Sequence, residues 1–214
     1  MNRGARRSIS MLNRILFLAS AMLLASCVSI DGTELCLADG ENLIEDASFS
    51  LEAENNLSRL WGQSQHAGEL SFNTKIQKGV LTISKVGTQP WFTYKQVLQA
   101  GKYAGKKIIF SADLKLDLDP PQVSHGFGDG GGLMIVAKSA NRKLVLRSVL
   151  EHEPRIGKTD WQKVQVIVQL PENTRWLTLA FLHQADGIMQ VRNPFFGTVA
   201  AQTKGCAVTG GLGG

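Results

Sequence analysis

The chain has 214 residues and carries 23 Lys+Arg against 18 Asp+Glu. Arg3, Arg6, Arg7 and Arg14 stand in residues 1–26, where there is no acid, which leaves 19 basic against 18 acidic side chains in the rest. The basic balance therefore belongs to the front segment, and without it a nucleic-acid or polybasic membrane-surface role loses its electrostatic support.

Behind the four arginines runs Ile15–Leu24, apolar but too short to span a bilayer comfortably, so the front reads as a targeting segment outside the fold. The rest of the chain is long enough for one domain with a sizeable core. Val28–Glu41 is a short polar tether. Asn42-Leu43-Ile44 opens a first strand that Phe49–Glu52 continues after a turn. Leu57–Gly62 and Glu69–Ile76 are weaker strands. Gly79–Val86 and Trp91–Leu98 flank a loop at Gly87-Thr88-Gln89-Pro90. Lys107–Leu118 alternates cleanly, with Ile108, Phe110, Ala112, Leu114, Leu116 and Leu118 on one face, and Asp119-Pro120-Pro121 ends it. Gly132–Ser139 and Lys143–Leu150 form a hairpin about Ala140-Asn141-Arg142.

Lys158–Phe196 reads as three consecutive antiparallel strands, a closing meander. In the first, Val164, Val166, Val168 and Leu170 share a face and Ile167 breaks the alternation. Pro171-Glu172-Asn173-Thr174 is turn chemistry. Arg175–Gln184 is apolar on both faces, which suits a central strand, and Ala185-Asp186-Gly187 turns the chain into Ile188–Phe196. No long stretch has the 3.6-residue period of a helix. Many short strands with Gly/Pro-rich turns predict an all-β sandwich or jelly roll. The Gly-rich residues 201–214 read as a flexible tail.

Leu24-Ala25-Ser26-Cys27 resembles the lipobox of bacterial lipoproteins. The resemblance implies cleavage before Cys27 and lipidation of that cysteine, so that 1–26 is a signal peptide, 27–41 a lipidated N-terminus and tether, and 42–200 the β-sandwich domain. Val28 stands where an inner-membrane retention signal would need Asp, which favours the outer membrane of a bacterial cell envelope. Cys36 and Cys206 then remain, one before the first strand and one after the last. In an oxidising envelope they read as a disulfide clasping the domain ends, at most about 5 kcal/mol by the chain-entropy model. Two thiols whose Cα atoms lie too far apart are the alternative.

Three further segments carry a second resemblance. They are Gln96-Val97-Leu98 through Tyr103-Ala104-Gly105-Lys106-Lys107 to Ser111–Lys115; Thr159-Asp160-Trp161-Gln162 through Leu170-Pro171-Glu172 to Gly187–Phe196; and Asn42-Leu43-Ile44 with Phe49. Their order and spacing resemble bacterial carbohydrate-binding modules with the galactose-binding-like jelly roll. The resemblance implies a membrane-anchored, non-catalytic module whose partner is a carbohydrate or envelope polymer. Relatives hold a structural calcium with acids that are here replaced by Arg192-Asn193 and Ser50. Arg192 would repel such an ion, so no metal or cofactor is expected.

A sugar site needs flat apolar faces with a few polar groups to fix hydroxyls. Trp91 and Tyr94 are the aromatic candidates, against core packing; at i and i+3 they point to opposite faces. Trp161 and Trp176 read as core. Gln190 and Arg192 share a face of the last strand, where they either bind ligand or face solvent. His125 stands in the Gly-rich loop Ser124–Gly132, which has neither the helix nor the Lys of a phosphate cradle. Glu151-His152-Glu153 reads as surface, and His183 as a hydrogen-bonded core or edge histidine. No catalytic constellation is visible, so no enzyme activity is expected. An envelope protein–protein interaction or scaffold role is the alternative function. Nothing in the sequence fixes the oligomeric state.

Overall fold

The computed structural model describes residues 36, 38–50, 60–122, 126, 129–148 and 155–199. The chain divides into Met1–Thr33 and Glu34–Gly214, and every described residue belongs to the second unit. The strands are β1 (Ala38–Asp39), β2 (Gly62–Gln65), β3 (Phe72–Gln77), β4 (Val80–Lys85), β5 (Phe92–Gln99), β6 (Lys107–Asp119), β7 (Gly130–Lys138), β8 (Leu144–Ser148), β9 (Gly157–Lys158), β10 (Gln162–Gln169), β11 (Trp176–Gln184) and β12 (Asp186–Val199). They form two antiparallel sheets. A seven-stranded sheet runs β10-β6-β12-β4-β3, with β1 added to β12 and β9 to β6; a five-stranded sheet runs β2-β5-β11-β7-β8. This is the all-β sandwich expected.

The closing segment is not a meander. β10 and β12 both pair with β6 in the larger sheet, whereas β11 lies between β5 and β7 in the smaller one. The backbone hydrogen bonds explain the crossing. Leu170 is held by Gly105 and Lys106 of the larger sheet, but Arg175 donates to the Lys138 carbonyl and accepts from Ala100 at the end of the smaller one. Pro171, which cannot donate to a ladder, opens the passage between them. The return at Gly187 has φ +103, and a Cβ there would collide with the Asp117 carbonyl. Successive strands that alternate between sheets give a jelly roll.

Packing follows the period of two. Ile108, Phe110, Ala112, Leu114, Leu116 and Leu118 of β6 are all buried between the sheets. At one end Trp61 stacks against Tyr94 and Phe181 with centroids 5.4 and 5.5 Å away, and Phe49 closes the group at 5.4 Å from Trp61. Each such aromatic contributes roughly 1.5–3 kcal/mol by leaving water. Ile109 and Ile167, the breaks in alternation, form a second small cluster on the outer face of the larger sheet with Cys36, Phe195 and Val199.

The opening strand is corrected. Residues 42–44 are not strand and 45–48 are turn, with β1 lying earlier. Asn42 instead spends its side chain on the chain's far end. Its Oδ1 accepts from the Ile44 and Phe196 amides, and its Nδ2 donates to the Pro194 carbonyl. These bonds replace the ladder a strand would have made. The Ser50 hydroxyl and amide both donate to Asp46 Oδ1, so the Asp46 carboxylate caps this turn.

Candidate functional site

The predicted ligand residues do not converge. Tyr94 is 1% exposed and belongs to the aromatic core, so it is corrected from ligand residue to packing residue. Gln190 and Arg192 lie on the outer face of the seven-stranded sheet, whereas Trp91 stands immediately before β5 of the other sheet. His125, Cys27, Cys206 and the Glu151-His152-Glu153 trio lie outside the described residues. Among the described residues no three His, Cys, Asp or Glu side chains group as a metal site.

Two surfaces remain. The first is the outer face of the five-stranded sheet. Phe92, Tyr94 and Leu98 of β5 and Leu177, Leu179 and Phe181 of β11 point to the core. By alternation Thr93, Lys95, Val97 and Gln99 point outward, beside Thr178, Ala180, Leu182 and Gln184 of β11 and Met134 and Val136 of β7. Val97 is 51% exposed, while Gln184 is 4% exposed and its amide oxygen has no hydrogen-bond partner among the described residues. Lys95 is steadied by a 3.1 Å bond to Ser64 Oγ. Trp91, half-buried and in step with Thr93, meets the His66 ring edge-on at 6.1 Å. Trp176 ends the β11 row with the Arg142 guanidinium 3.6 Å over its ring.

The second surface is a groove of about 580 Å³ on the outer face of the seven-stranded sheet. Ile109, Pro194 and Phe195 give it apolar walls, and Ser111, Gln165, Lys163 and Asn193 bring polar groups. Residues 36–48 supply the other side, through Cys36, Asn42, Ala47 and Ser48. A β-bulge between Arg192 and Phe195, with Asn193 at φ +51, swings Asn193 over to Asp113, where its Nδ2 donates at 2.8 Å. Lys163 and Arg192 approach the same carboxylate at 3.3 and 3.4 Å. Partial burial pushes the Asp113 carboxyl up, but the Asn193 hydrogen bond and the Lys163 and Arg192 charges outweigh it and hold it below its ordinary value.

Arg192 also lies 4.2 Å over the Trp161 ring, and Gln190 donates to Thr82 Oγ1 at 3.4 Å. Both are thus engaged by neighbours on the sheet. Trp161 and Trp176, expected in the core, are half-buried surface rings beneath arginines. For Trp176 the register decides, since it is in step with the outward Thr178 and not with Leu177. The groove was not expected from sequence. Its signal was present in Ile109 and Ile167, bulky apolar residues on a face otherwise polar.

No protein-family model and no curated protein matches the chain. Solved structures do. The enzymatically active domain of tailspike protein 4 of bacteriophage CBA120 matches with TM-score 0.54 and 13% identity, over 74% of this chain and 21% of that one. The chain thus spans about a fifth of the tailspike chain. A family 4 carbohydrate-binding module matches with TM-score 0.50 and 15% identity, over 72% of this chain and 99% of that one. A family 11 carbohydrate-binding module from a cellulosomal cellulase of Clostridium thermocellum matches with TM-score 0.43 and 15% identity, over 71% and 95%. The fold is the jelly-roll sandwich of carbohydrate-binding modules, as the resemblance implied.

Proposed function

We propose that this chain is a lipid-anchored, non-catalytic module of the bacterial cell envelope, held through Cys27 to the outer membrane, that recognises a carbohydrate polymer. The observation that supports the reading best is the outer face of the five-stranded sheet. There Val97, Val136 and Met134 offer apolar surface, and Lys95, Thr178 and Gln99 stand among them as hydrogen-bonding groups. Pyranose rings present both kinds of surface, C–H faces and hydroxyl edges, and an open sheet face suits a chain passing across it. Trp91 stands in step with that face. The fold is shared with carbohydrate-binding modules, but a fold does not by itself bring a ligand, so the reading rests on the face.

The test uses the full-length protein in detergent against neutral and acidic polysaccharides, by affinity electrophoresis and glycan array. Retention by at least one polysaccharide is expected, weakened in Trp91→Ala and Lys95→Ala. A blank result across both classes would overturn the reading. Mass spectrometry of the mature N-terminus checks the anchor, with an acylated Cys27 as the expected outcome.

A further inference from the structure

We infer that the polymer taken by the five-stranded face is acidic, a polysaccharide that carries anionic groups repeated along its length. This rests on the reading of that face as a carbohydrate site and adds the charge of its ligand.

The two sheets divide the charges unequally. On the seven-stranded sheet Lys115, Lys158 and Lys163 stand beside carboxylates, with Asp160, Asp117 and Asp113 at 3.6, 3.1 and 3.3 Å. The outward face of the five-stranded sheet has cations and, among the described residues, no acid. Lys95 of β5 points outward opposite Ala180, and Lys138 of β7 points outward opposite Trp176. Arg147 of β8 stands opposite Val136 on the same face. Arg142, at the turn between β7 and β8, lies over the Trp176 ring. The other outward residues of β5, β7 and β11 are uncharged. Lys95 bonds the neutral Ser64 hydroxyl, and among the described residues no carboxylate pairs with Lys95 or Lys138.

Behind the front segment the chain is close to neutral, with 19 basic against 18 acidic side chains, so the separation comes from the fold and not from an overall excess. Unmatched cations beside apolar surface set up a positive field, which draws anions to this face and turns cations away.

Spacing sets the size of the ligand. Lys95 and Lys138 are two strands and four positions apart, about 10 Å across the sheet and about 14 Å along it. One acidic sugar meets only one of them, whereas a chain with repeated acids reaches both. Its path crosses Thr178 and Ala180, small side chains that leave room beside Val97 and Val136. Exposed ion pairs are weak singly, so binding needs several at once, which again calls for a polymer.

The experiment measures retention of the full-length protein in detergent by affinity electrophoresis, relative to a gel without polymer. The gels contain polygalacturonate, the same polymer methyl-esterified, dextran sulfate or a neutral glucan. Retention by at least one acidic polymer above that by both uncharged ones is expected, and the stronger of the two acidic polymers separates carboxylate from sulfate as the group preferred. Added salt is expected to weaken that retention. Lys95→Gln and Lys138→Gln keep most of the side-chain stem and are each expected to weaken it about two- to fivefold. Lys158→Gln, on the other sheet, is expected to leave it unchanged. The inference is overturned if an uncharged polymer retains the protein as strongly as the acidic ones, or if both lysine variants behave as wild type. It is also overturned if polyglutamate displaces the acidic polysaccharide at equal carboxylate concentration, since charge alone would then be recognised. Retention by uncharged polymers only leaves the carbohydrate reading standing without this charge, and retention by none takes both down.

Discussion

The Asn42 side chain donates to the Pro194 carbonyl at 2.8 Å, joining residues 152 positions apart. The same side chain accepts from the Ile44 and Phe196 amides at 3.1 Å. One amide group thus holds the domain's opening turn against its last strand and sets one wall of the groove. Asn42→Ala would leave two backbone donors and one carbonyl without partners, at a cost of about 1–3 kcal/mol. Asn42→Asp keeps the acceptor but puts an oxygen against the Pro194 carbonyl, so it should fall between wild type and Ala. Urea midpoints of the three proteins check the order, and equal midpoints would show that the tie contributes nothing.

Trp61 is the second test of the fold. Its ring is stacked on Tyr94 at 21° and on Phe181 at 27°, with Phe49 against it. Trp61→Ala removes the middle of this stack and leaves a cavity, and it is expected to cost about 3–5 kcal/mol. Chemical denaturation measures the loss, and near-ultraviolet circular dichroism should lose the signal of the packed rings. Tyr94→Phe keeps the ring in the stack and is expected to retain that signal.

How far the sequence could be read depends on which interactions are local. β6 was legible because Phe110 through Leu118 alternate without interruption, and a period of two is a local property. The ends of β3–β8 and of β10–β12 were placed within a few residues for the same reason, whereas β1 and β9, two residues each, are too short to show a period. Sheet membership was not legible: Val164 and Leu177 both mark a buried face, and nothing in either pattern says that β10 and β11 belong to different sheets. That choice is made by Leu170 bonding to Gly105 and Arg175 to Lys138, contacts between distant residues. Asn42 looked like the start of a strand because its three bonds are made with the far end of the chain. Trp161 and Trp176 looked like core because large aromatics usually are, but each ring found an arginine instead. The site was the least legible part, since Gln190 and Trp91 each read correctly as outward or loop-edge groups yet stand on opposite sheets.

The Cys36–Cys206 pairing is open to a direct test. β1 pairs Ala38 with Val199, and Cys36, two residues before Ala38, lines the groove and packs against Ile109 and Ile167. A non-reduced digest is expected to yield one species joining the Cys36 and Cys206 peptides. Reductant or Cys206→Ser is expected to lower the thermal midpoint, by at most about 5 kcal/mol in stability. A Cys36 peptide carrying an alkylatable thiol would refute the clasp.

His183 sets the pH dependence. The ring is fully buried against Phe72, and its Nδ1 accepts from the Ala185 amide at 3.5 Å. Burial pulls its pKa down from 6.5 to about 4, against an opposing pull from the Gly187 backbone; Lys85 lowers it further and Asp186 raises it. The folded protein therefore refuses a proton that the unfolded chain accepts. Stability is fully present above pH 6.5, falls as the pH drops from 6.5 to about 4, and is level below that as far as this group is concerned. The full loss is on the order of 3 kcal/mol. Asp113 and Asp186, both held low, also lose their contribution on acidification, but in a lower window, below their ordinary value of 3.8. His183→Asn can keep an acceptor for Ala185 while it removes the titration. Its midpoint should lie below wild type at pH 7.5 because of the smaller side chain, yet it should fall less between pH 7 and pH 4.5. Parallel curves for the two proteins across that window would show that His183 is not the group responsible.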